Sequence, residues 1–205
     1  MTEAEWLAGE DANLMLPHLW AEKASARKVR LFACAVGRRL WDRFDQEAVR
    51  RAVELAELVA DGRADPAALN PAREAASRSI NDQRGLRAPM AAASSAYPDA
   101  WHAAGVCANQ AALTGLRKAG VVAVLREVFG NPFRPGPVAP GWLTPTVADL
   151  AAAAYEERAL PSGEFDPRRL AVLADALEEE GCADEAILSH LRSPGPHVRG
   201  CWRWT

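Results

Sequence analysis

The sequence predicts an all-α fold, an irregular orthogonal bundle of about eight to ten short helices crossed by a Pro-rich extended strap. Apolar residues recur at three- and four-residue intervals through most of the 205 residues, which lines one face of a 3.6-residue helix. Ser, Thr or Asp precedes the apolar stripes and Gly follows them, the usual start and stop signals of helices. No run of β-branched residues alternates with period two, and no internal repeat stands out.

Taken in order, Thr2 and Glu5 make a T-x-x-E capping box that opens a short helix closed by Gly9. Asp11 caps a second segment over 12–20, which Pro17 bends or divides. Ser25 opens the clearest helix, 26–44, with Val29, Phe32, Ala33, Val36, Leu40 and Phe44 on one face. Arg27, Lys28, Arg30, Arg38, Arg39 and Arg43 fill much of the remainder. Asp45 caps a helix over 46–61 with the stripe Val49, Val53, Ala56 and Ala60, and Gly62 sits where a C-cap glycine is expected. These two helices are joined almost without a loop, which predicts an antiparallel or steeply crossed pair.

Asp65-Pro66 and Asn70-Pro71 start a helix near 71–84 that Gly85 closes. The alanine-rich stretch 88–129 reads as closely packed central helices, broken near Tyr97-Pro98 and Ala119-Gly120. From 130 to 145, five prolines and three glycines exclude helix and central strand. Phe133, Val138, Trp142 and Leu143 are too apolar for a floppy linker, so the segment reads as an ordered strap. Thr144-Pro145 opens a helix to about 158, Asp166-Pro167 one that Gly181 closes, and 184–192 forms the last. The strap divides an N-terminal helical lobe, 1–129, from an acidic C-terminal lobe and Trp-containing tail, 146–205, or the two close into one compact domain.

Charge is unevenly laid out. Residues 23–51 hold nine Lys/Arg against three Asp/Glu, and residues 149–185 hold eleven Asp/Glu against three Arg. A net charge of -3 argues against a general polyanion binder. The acidic N-terminus lacks an apolar leader core, and no apolar run is long enough to cross a bilayer. Four scattered cysteines without a CxxC pair fit a reduced, cytoplasmic protein with no membrane partner.

Three constellations could carry chemistry. Arg27, Arg30, Arg38, Arg39 and Arg43 could form a phosphate-binding stripe, although only Gln46 nearby could read a base. The bland reading is a solvated face, or one paired with the acidic rear. Cys182, His190, His197 and Cys201, spaced C-x7-H-x6-H-x3-C, could close a tetrahedral zinc site. That spacing matches none of the usual zinc patterns, and cysteine is often buried for packing alone. The run Asp175, Glu178, Glu179, Glu180, Asp184 and Glu185 reads as a solvated helix end, without an ExxH or D-x-D-x-D-G context. His18 and His102 stand alone. No phosphate loop, dinucleotide fingerprint, nucleophile elbow or HExxH occurs, so no enzyme activity or cofactor is expected. Of the seven tryptophans, most serve as core anchors, whereas Trp142, Trp202 and Trp204 mark the strap and tail as edges of an interaction surface.

Glu5-Trp6-Leu7-Ala8, the segment RKVRLFACA at 27–35, FGNPFRP at 129–135, LADALEE at 173–179 with Gly181-Cys182, and GPHVRGCW at 195–202 together resemble a paralogous family of planctomycete-type bacterial proteins. That family's pattern continues past Gly-Cys-Trp with an apolar run, where this chain has Arg203-Trp204-Thr205. The resemblance implies a bacterial cytoplasmic protein and brings no activity, cofactor or catalytic residue. The expected function is a non-catalytic module that binds a protein partner or self-associates. A nucleic-acid-binding accessory protein using 27–43 and a small zinc-supported domain are the alternatives.

Overall fold

The computed structural model describes residues 1–80, 87–114, 116–134 and 139–202. Among them run eleven α-helices: α1 Glu3–Ala8, α2 Ala12–Ala21, α3 Ala26–Arg38, α4 Glu47–Ala60, α5 Leu69–Ile80, α6 Arg87–Ala93, α7 Ala100–Ala112, α8 Lys118–Phe129, α9 Pro145–Glu156, α10 Pro167–Glu179 and α11 Glu185–Arg192. Extended pairing among these residues is confined to two isolated antiparallel bridges, Ala159 with Glu164 and Glu164 with Val198. None of the helices is long and apolar enough to cross a membrane.

The caps explain most of the boundaries. Thr2 and Glu5 exchange side-chain and backbone bonds as a capping box. Asp11, Asp99, Thr144, Asp166 and Asp184 each accept from a backbone N–H of the first turn that follows. Gly62 takes a left-handed conformation just after α4, as its position predicts.

Four boundaries differ from expectation. Pro17 lies inside an unbroken α2. α3 stops at Arg38 rather than 44, and a 3₁₀ turn at Trp41–Arg43 carries the chain into α4. Neither Ser25 nor Asp45 makes a side-chain cap, Gln46 standing at the start of α4. The last central break falls between Ala112 and Lys118, so Ala119-Gly120 lies in the first turn of α8. The expected stop at Gly85 and Val138 of the strap lie outside the described residues.

α3 is the axis of the first core, packed by α4, α6, α7 and α8. Every residue from Val29 to Arg38 is buried, so beyond its first turn the helix is enclosed on all sides, arginines included. Gly37 permits the approach of α6: a Cβ there would sit 3.3 Å from the Ala92 Cα. Trp6 closes one end, fully buried with its Nε1 donating to the Gly130 carbonyl at 3.0 Å. Removing such an indole from water is worth about 4–6 kcal/mol. A second apolar cluster forms around Leu170, Leu173, Leu177, Ile187 and Leu191, from α10 and α11, with α9 packed against α10.

Candidate metal centre

The seam between the two apolar clusters brings four donors of different chemistry to one point. α8 contributes Glu127, α11 contributes His190, and the segment after α11 contributes His197 and Cys201. Their ligand atoms all lie within 4.8 Å of one another. His190 Nε2 is 3.1 Å from Cys201 Sγ and 3.7 Å from Glu127 Oε1, and His197 Nδ1 is 3.2 Å from the same Oε1. Bonds of 2.0–2.3 Å to a tetrahedral zinc ion imply donor separations of about 3.3–3.8 Å. Of the separations given, 3.7 Å is in that range and 3.1 and 3.2 Å fall just short of it, while the widest pair would draw in by about 1 Å.

Hydrogen bonding fixes which histidine nitrogen faces the centre. Ser193 Oγ donates to the His190 carbonyl at 2.8 Å, leaving its lone pairs to accept. His197 Nε2 lies 3.1 Å from the Ser193 carbonyl and 3.2 Å from that hydroxyl, so Nε2 carries the proton and donates. The Nδ1 lone pair then points at a carboxylate oxygen, and two acceptors at 3.2 Å need a cation between them. A proton can serve: burial lowers the affinity of His197 for one, but the Glu127 carboxylate outweighs this and raises its pKa above the ordinary value. A metal ion serves as well, and a ligating histidine usually donates its other N–H to a carbonyl as here. The glutamate and a cysteine thiolate would together balance a divalent charge in a buried setting.

The same residues do not make a Cys–His–Glu relay. A relay needs the nucleophile on one imidazole nitrogen and the orienting carboxylate on the other. Here the Cys201 sulfur and the Glu127 oxygen both approach Nε2 of His190. Cys201 is also fully buried, beyond the reach of a substrate.

Three of the four metal candidates expected from sequence therefore meet, and Cys182 does not join them. It follows Gly181 at the end of α10, where its N–H closes the helix on the Leu177 carbonyl, and it is buried in the second cluster. Glu127 takes its place. The chain offers one hint of this: Glu127 lies three residues after Val124, on the apolar side of a helix whose other inward positions are Val and Leu.

The arginines of α3 are placed differently from a phosphate-binding stripe. Arg30 is buried and donates to the carbonyls of Ser95, Tyr97 and Pro98. Arg38 is buried in a bidentate pair with Glu57 of α4, donates to the Pro161 carbonyl and lies over the Trp41 ring. Arg158 binds the same Glu57 carboxylate from the other side. Burial alone would raise the Glu57 pKa, yet these two guanidinia outweigh it and hold the carboxyl below its ordinary value. Arg27 shares Asp61 with Tyr155 and Arg199. Arg39 pairs with Glu164, and exposed Arg43 donates to the Thr114 carbonyl.

In the rear acidic run, Arg192 binds Asp175 and Glu178, and Asp184 caps α11. His18 stacks on Phe133, and His102 meets Tyr97 edge-on. Trp142 and Trp202 are partly buried against the second cluster, whereas Trp204 lies outside the described residues.

No family model matches the chain, and comparison with curated proteins and with solved structures finds no match for its sequence or its fold.

Proposed function

We propose that this chain is a non-catalytic, metal-supported accessory module, with a divalent zinc-class ion held by Glu127, His190, His197 and Cys201. The observation that supports this reading is the convergence of an oxygen, two nitrogens and a sulfur from three separate parts of the chain on one point. Imidazole and thiolate donors favour zinc and its neighbours over magnesium or calcium, which take oxygen ligands. Four protein donors close a tetrahedral shell and leave no position for substrate, the signature of a structural rather than a catalytic site. The ion's role is then to stabilise the fold, because a site assembled only in the native state adds its binding free energy to folding.

The accessory role rests on what the fold leaves outside. Leu14 and Trp20 of α2 are largely exposed, and Trp20 meets Trp101 edge-on, which gives a surface suited to a protein partner. The nucleic-acid reading has less to work with, because Arg30 and Arg38 are spent inside the protein.

Cobalt substitution tests the metal assignment. Chelator-stripped protein titrated with Co²⁺ is expected to develop visible ligand-field bands of a four-coordinate site, with a near-ultraviolet band from one thiolate. Zinc should displace both at one equivalent, and Cys201→Ser should remove the thiolate band while Cys182→Ser leaves it. Absence of visible bands, or a thiolate band that follows Cys182, contradicts the assignment.

A further inference from the structure

We propose, building on that metal reading, that the ion works as a latch: it holds segment 193–202 closed over the seam between the two apolar clusters, and its loss opens that seam locally. The argument starts from what the segment covers. Val198 is buried in the first cluster, whereas Cys201 and Trp202 belong to the second, so this short stretch contributes to both. Arg199 spans the same divide, reaching Asp61 after α4 and Glu156 at the end of α9.

Fit is close along its length. A Cβ on Gly200 would lie 2.9 Å from the Leu31 Cβ, and one on Gly130 would lie 2.7 Å from the Trp202 ring. Both glycines have positive φ, so the backbone as well as the space demands them. Yet no regular secondary structure holds the segment. Past Ser193, whose N–H closes α11 on the His190 carbonyl at 3.1 Å, backbone bonds tie it to the rest of the fold through Phe165 N–H to the His197 carbonyl at 2.9 Å and Trp202 N–H to the Glu127 carbonyl at 3.0 Å.

Two of the four donors sit on this segment and two on the helices beneath it. A bound ion therefore cross-links segment and floor. With the ion gone, that cross-link is lost and the facing acceptors on Glu127 and His197 remain. Opening would uncover Leu31, Val128 and Trp202, an apolar surface that appears or disappears with the metal. This links the metal site to the accessory role, since a partner that binds the open face would compete with the ion.

Amide hydrogen exchange on the full chain, with zinc and after chelation, tests the latch. The Co²⁺ titration on the same preparation reports separately whether the site binds metal. Zinc-loaded protein should protect the amides of Phe165 and Trp202. Chelation should reduce that protection by about 10-fold or more, while amides of α3 and α7 keep theirs. A second measurement uses Gly200→Ala, which replaces no donor but crowds Leu31. If closing and binding are coupled, its Co²⁺ affinity should fall by about 10-fold. Metal binding with unchanged protection at Phe165 and Trp202, or unchanged affinity in Gly200→Ala, overturns the latch and leaves the metal site standing. Loss of protection throughout the chain also overturns it, by showing that the ion supports the whole fold. No metal binding at all removes both.

Discussion

Glu57→Gln removes one charge from the most enclosed ion cluster while keeping the size of the side chain. Glu57 accepts four bonds: from Arg38 Nε at 2.5 Å and Nη2 at 2.9 Å, and from Arg158 Nη1 at 3.0 Å and Nη2 at 2.6 Å. An amide keeps one acceptor oxygen and turns an NH₂ donor toward guanidinium donors. Two arginines are then left without their anion, and Arg38 has only 3% of its side chain exposed. Breaking a buried pair from one side costs about 3–5 kcal/mol, which for a protein of this size lowers Tm by roughly 6–20 °C. Thermal unfolding followed by circular dichroism measures it.

The pH dependence sharpens the same prediction. The folded pKa of Glu57 lies below its unfolded value. Its contribution is therefore complete above the unfolded carboxylate pKa of about 4.3 and is lost as pH falls through the folded value. The stability gap between wild type and Glu57→Gln should be widest near neutrality and narrow below about pH 4. A gap under about 0.5 kcal/mol at pH 7, the range of an ordinary surface substitution, refutes the reasoning.

Two further substitutions probe other joints. Gly130→Ala combines a positive φ with a Cβ 2.7 Å from the Trp202 ring. It should cost about 2–4 kcal/mol in urea unfolding; a neutral result would mean that Trp202 does not pack where described. Arg30→Met strands the carbonyls of Ser95, Tyr97 and Pro98, for an expected loss of about 3 kcal/mol or more. If Arg30 instead serves a surface partner, the same variant should unfold like wild type.

The all-α class was legible because caps and stripes agree locally, and cap residues such as Thr2, Asp11, Thr144, Asp166 and Asp184 do in the fold what their chemistry dictates. Burial of the arginines was not legible. Spacing shows which face of a helix is apolar, but not that α3 is enclosed by four neighbours and must bring Arg30 and Arg38 inside with it. Their partners, Glu57 and four backbone carbonyls, come from other elements, where no local pattern announces them. The donor set was legible in part for the same reason. His190, His197 and Cys201 are close along the chain, whereas Glu127 arrives from α8, some sixty residues earlier. The adjacent cysteine in sequence, Cys182, is drawn instead into closing α10.

The most direct test of the metal centre is X-ray absorption at the zinc edge of the loaded protein. One sulfur near 2.3 Å and three nitrogen or oxygen neighbours near 2.0–2.1 Å are predicted. Two sulfurs, which would bring Cys182 into the shell, or six oxygens at longer distance would contradict it.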